Sequence, residues 1–110
     1  MDPWDFTIWR EQGALVGALG VLAVCVAGPI AEELIFRGLL FHRLRTTRLG
    51  PVMSVVVLAA VWAAIHLDVS PSIVVLFFGA GLLLGAARWK SGSVYVPIAM
   101  HIAWNLFAVW

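Results

Sequence analysis

The sequence is poor in what a soluble domain uses to face water. Of its 110 residues only 12% are charged, about half the share in an ordinary globular chain. A net charge of +1 offers no broad basic field, which argues against nucleic acid as a partner. The single cysteine, Cys25, has no partner in the chain, so an internal disulfide and a cysteine metal centre are both excluded. It falls in an apolar run and is assigned to packing. Period-two alternation is absent, which argues against a transmembrane barrel. The N-terminus lacks the basic n-region and small-residue cleavage site of a signal peptide.

What is present is apolar: 63% hydrophobic residues and a mean hydropathy of +1.00, more than a domain of this size can bury from water. Four stretches carry the excess, Gly13 to Ala31, Val52 to Ile65, Val69 to Ala87 and Val94 to Trp110, the last with His101 as its only ionisable side chain. With a hydrocarbon core of about 30 Å to cross and every backbone polar group to satisfy internally, they predict an all-α, polytopic transmembrane helix bundle of four spanning helices. The second run is short, and spans if Arg48 to Pro51 and His66 to Asp68 sit at the two interfaces. The first run continues through Gly28-Pro29 to Arg45, about 50 Å as one helix, and is expected to kink or break near Pro29.

Short turns at Leu49-Gly50-Pro51, Ser70-Pro71-Ser72 and Ser91-Gly92-Ser93 predict antiparallel neighbours. Small residues at Gly81 and Gly85 predict a close helix approach. Residues 1–12, with Trp4, Phe6, Ile8 and Trp9 among polar neighbours, read as an interfacial segment, and 13–110 as the transmembrane core. Arg43, Arg45 and Arg48 follow the first span, and Arg88 and Lys90 the third, while Asp68 occupies the turn between. By the positive-inside rule the basic turns 43–48 and 88–90 are cytoplasmic, in a multi-pass cell-membrane protein whose constant partner is lipid.

Charges deep in a membrane are expensive and mark functional sites. Glu32 and Glu33 lie about 15 Å of helix from the basic turn. Two adjacent carboxylates there require that one be paired and the other protonated, hydrated or metal-bound. Arg37 follows Glu33 by four residues, the favourable order for an ion pair, so Glu33 and Arg37 read as structural. Glu32 points about 100° away, has no local cation, and is the candidate general base or ligand. Two further i, i+4 pairs, Trp62 with His66 and His101 with Asn105, add hydrogen-bonding groups. His42, beside the basic turn, reads as an interface anchor. Taken as straight helices from the basic side, Glu33 lies ~15 Å, His66 ~22 Å and His101 ~12 Å deep. Convergence therefore requires the helix of His66 to begin deeper or to tilt.

These residues resemble the CAAX prenyl protease and bacteriocin-processing (CPBP, or Abi) family of intramembrane proteases. An EExxxR motif followed by Gly stands at Glu32 to Gly38, an aromatic-xxx-His motif at Trp62 to His66, and an HxxxN motif at His101 to Asn105, within a match running from about Ala27 to Leu106. The family usually has Phe where Trp62 stands, and its members commonly carry extra flanking helices. The resemblance implies the core of a CAAX protease-like fold and an intramembrane endopeptidase. In it Glu32 and His66 activate a water while His101 and Asn105 stabilise the oxyanion, and the substrate is a prenylated CAAX-type protein or a peptide precursor. Cofactors are none or Zn2+. A metalloprotease label would place zinc on His66, His101 and Glu32, but no HExxH helix is present and Asn105 is a poor zinc ligand, which favours a metal-free, glutamate-based mechanism.

Two other classes compete with the protease. A non-catalytic bacteriocin-immunity or scaffold protein of the same fold would keep its phenotype in Glu32→Gln. A proton or ion conduit, built on the same Glu and His residues, would leak in a liposome flux assay.

Overall fold

Pro29 lies inside the longest helix without ending it. In the computed structural model, which describes residues 6–66 and 70–109, helix α1 (Phe6–Glu11) leads through Gly13, at φ 104°, into a continuous helix α2 over Ala14–Leu44. Helices α3 (Gly50–Ala64), α4 (Pro71–Ser91) and α5 (Tyr95–Val109) complete the fold, and the described residues contain no strand. Trp4, Asp68 and Val69, which entered the reading of the interfaces, lie outside the described residues.

The expected break in α2 is replaced by two widened turns. Ala23–Ala27 and Leu34–Leu40 are wound as π-helix, and Gly28 donates its N–H to the Ala23 carbonyl five residues back. Proline has no N–H, and its ring crowds the carbonyl four residues earlier. A turn opened to i→i+5 relieves that crowding while the helix continues.

The helix ends follow local chemistry. The Ser70 hydroxyl caps α4 by accepting from Ile73 N–H at 3.3 Å, with Pro71 in the first turn. Gly92, at φ 70°, closes α4 in the left-handed conformation, its N–H on the Arg88 carbonyl. Thr47 turns α2 toward α3 by donating its hydroxyl to the Leu44 carbonyl at 2.6 Å.

Two helices, the 31-residue α2 and the 21-residue α4, are long and apolar enough to cross a membrane. Helices α3 and α5, at 15 residues each, reach about 22 Å. Outward faces are apolar: Leu15, Val75, Leu83 and Phe107 are all more than half exposed. The interior is partly polar, with Glu33, Arg37, Ser54, Arg88, His101 and Asn105 buried beside an apolar cluster of Phe41, Val55 and Leu58. That inversion suits a lipid solvent and would be costly in water.

Neighbours run antiparallel. Gly81 lies against Ala59 and Gly85 against Val55, so α4 descends as α3 ascends. A Cβ at Gly81 would sit 3.0 Å from the Ala59 Cα, and one at Gly85 2.8 Å from Val55 Cγ1. The expected close approach at these two glycines is therefore realised, and it is the contact that lets α3 and α4 share a face. Gly85→Ala is expected to destabilise the fold by about 1–3 kcal/mol through overpacking. Adding Val55→Ala should restore much of that loss in thermal unfolding of the detergent-solubilised protein.

Candidate polar site

Glu33 is fully buried, and one of its oxygens carries the site. Oε1 accepts from Arg37 Nη1 at 3.1 Å, one helical turn on, and from His101 Nδ1 at 2.8 Å across the bundle. The pairing of Glu33 with Arg37 expected from their spacing is present, and the contact with His101 adds to it. Arg37, 1% exposed, also donates Nη2 to the Gly81 carbonyl at 3.1 Å and lies 5.1 Å from the Trp62 ring centroid. The glycine that lets α3 and α4 meet thus also offers its carbonyl to the buried guanidinium. A bidentate donor tied to a carboxylate and a carbonyl is the kind of compensation a buried charge requires.

Glu32 points to the other side of the helix turn and is partly exposed. Its Oε2 accepts from Trp62 Nε1 at 3.1 Å and lies 3.8 Å from His101 Nε2. A carboxylate only accepts hydrogen bonds, so Glu33 sets Nδ1 of His101 as a donor. In the neutral ring Nε2 is then an acceptor facing Glu32. His101 therefore bridges the two glutamates with one nitrogen toward each, and Trp62 stands edge-on to it at 5.6 Å between centroids.

Asn105, buried one turn beyond His101, donates Nδ2 to the Val24 carbonyl at 3.3 Å. In the π turn around Val24 the matching helical donor would be residue 29, which is proline, and Gly28 N–H is already on Ala23. Asn105 therefore supplies to α2 the hydrogen bond that Pro29 withholds.

His66 stands apart from this group. Its Nδ1 bonds the Trp62 carbonyl at 2.7 Å, and its ring packs against Trp62 and Phe77 at 5.1 and 4.7 Å. No hydrogen bond joins it to Glu32 among the described residues. At the level of the carboxylates α3 offers Trp62, and His66 follows one turn later.

Two residues carry more than sequence reasoning gave them. Trp62 was read as the aromatic partner of His66, yet its indole N–H is what meets Glu32. Arg88 was read as a charge of the basic turn. It is 8% exposed, donates Nε to the Arg37 carbonyl at 2.9 Å in the second π turn, and covers Phe41 at 5.4 Å. A signal for Arg88 was available: Gly81, Gly85 and Arg88, at i, i+4 and i+7, share the packed face of α4.

The zinc set of Glu32, His66 and His101 is not assembled: no group of three His, Cys, Asp or Glu among the described residues is arranged to hold a metal, and the Trp62 ring packs against both imidazoles.

A family model described as type II CAAX prenyl endopeptidase Rce1-like matches residues 14–107. No curated protein and no solved structure matches the chain.

The link between Asn105 and Pro29 can be tested through stability alone. Asn105→Ala orphans the Val24 carbonyl and is expected to destabilise the protein by about 1–3 kcal/mol. In a Pro29→Ala background, where the helix regains an N–H, the same substitution should cost less, a coupling measurable by a double-mutant cycle on unfolding free energies.

Proposed function

The chain belongs to the type II CAAX prenyl endopeptidase Rce1-like family, and on that premise we propose that it is an intramembrane endopeptidase whose water is activated between Glu32 and His101. The protease class and the membrane setting come with the family and with the apolar helices. The observation that carries the mechanism is the 3.8 Å separation of Glu32 Oε2 and His101 Nε2. Two acceptors at that distance suit one water that donates a hydrogen to each at about 2.8 Å and keeps a lone pair for the scissile carbonyl.

Glu32 takes the proton as oxygen attacks the carbonyl carbon, then returns it to the departing amine as the C–N bond breaks. Glu33 and Arg37 hold the ring of His101 in register throughout, a geometric requirement of the kind that sets near-attack positioning. The amide of Asn105, one turn from His101, supplies the oxyanion donor in this reading, where a single such donor contributes about 2.7–4 kcal/mol. His66, one turn beyond Trp62 on α3, completes the proposed set.

The substrate is a peptide or a prenylated CAAX-type protein reached from the lipid, in keeping with the outward apolar faces. We place all four long helices across the bilayer, with the shorter α3 and α5 aided by local thinning and their flanking residues, and α1 at the interface. The turn 43–48 and Lys90 face the cytoplasm. Arg88 no longer counts toward that charge bias, because it is inside the bundle.

Purified protein in detergent, given a quenched prenylated peptide, is expected to cleave it. Glu32→Gln and His101→Ala should each lower kcat/KM by about 10²–10⁴ without loss of helical signal. Wild-type rates in either variant would overturn the assignment.

A further inference from the structure

One uncharged side chain touches Glu32, Arg37, His66 and His101. Trp62, 4% exposed, donates its indole N–H to Glu32 at 3.1 Å. Its ring meets the Arg37 guanidinium at 5.1 Å and His101 edge-on at 5.6 Å and 88°. Its backbone carbonyl holds His66 Nδ1 at 2.7 Å. We propose that Trp62 is the positioning residue of the site: its indole N–H fixes the Glu32 carboxylate so that Oε2 stays within a water's reach of His101.

The proposal rests on the endopeptidase reading above. It concerns a residue that transfers no proton and acts through the Glu32 carboxylate, to whose Oε2 its indole N–H is bonded. Glu32 needs such a partner more than Glu33 does. Glu33 is fully buried and shared between Arg37 and His101, whereas the side chain of Glu32 keeps 37% of its exposure and has no cation within hydrogen-bond distance among the described residues. Among the described residues the indole N–H is the one donor bonded to it. A glutamate side chain has three rotatable bonds, and without an anchor its carboxylate would sample positions away from His101. Trp suits the task because its bulk fills the space between α2, α3 and α5 while its single donor defines one direction. The Arg37 charge over its face adds a second restraint on the ring plane.

Two replacements separate the donor from the bulk. Trp62→Phe removes the N–H and part of the ring. Benzothienylalanine, placed at position 62 by codon suppression, keeps the bicyclic shape and removes only the N–H. Both variants are expected to lower kcat by about tenfold or more while KM stays within about twofold, the size of effect a hydrogen bond to a charged group carries. Full turnover in the benzothienyl variant would overturn the proposal, whatever Trp62→Phe does.

A readout independent of activity comes from the indole 15N–1H signals of the six tryptophans. The signal missing in Trp62→Phe should shift in Glu32→Ala while the others hold, and an unmoved signal would also overturn the proposal. Because this measurement needs no substrate, it separates a failure of Trp62's role from a failure of the protease reading.

Discussion

The buried charges that join the helices are organised around one carboxylate. Glu33 has no exposure at all, and its Oε1 is shared by Arg37 and His101. Removing one partner of a buried ion pair leaves an uncompensated charge at a cost of about 3–5 kcal/mol. The two helices that supply these partners, α2 and α5, are therefore held in one relation. Arg37 passes the constraint to α4 through the Gly81 carbonyl, and Arg88 returns from α4 to the Arg37 carbonyl. The polar network thus does work that apolar contacts do less well in lipid, where side chains lose nothing by leaving one another for acyl chains.

The two π turns of α2 are part of the same arrangement. Each releases a backbone carbonyl from the regular helical ladder, and each freed region receives a side chain from another helix: Asn105 at Val24, Arg88 at Arg37. Pro29 creates the first need, and α5 meets it with the residue one turn beyond His101. Backbone irregularity at membrane depth is tolerated where protein groups satisfy it. Structural and chemical demands on the HxxxN face are consequently coupled, since one residue orients toward the carboxylates and the other secures the helix that bears them.

Helical type, the four long elements and their antiparallel order were legible in the sequence, because apolar run length and turn residues are local signals. So was the pairing of Glu33 with Arg37, since i, i+4 spacing on one helix leaves little freedom. Of the kink or break expected at Pro29, the break is absent, because a proline's crowding can be absorbed by widening a turn, with a donor arriving from α5. The inward direction of Arg88 was encoded in its phase with Gly81 and Gly85, yet its place beside Lys90 suggested a turn.

The sequence by itself determined that this chain is helical, lipid-facing and built around a small set of intramembrane acids and histidines, and its motifs named the family. Only the tertiary structure decided which of those residues meet. His101 joins Glu33 and approaches Glu32, Trp62 takes the place beside Glu32 that the family resemblance implied for His66, and Asn105 turns to the backbone of α2. The reason is geometric: motif spacing fixes neighbours along one helix, while contacts between helices depend on their relative depth. One turn of α3, about 5.4 Å, separates the indole that reaches the carboxylate from the imidazole that does not.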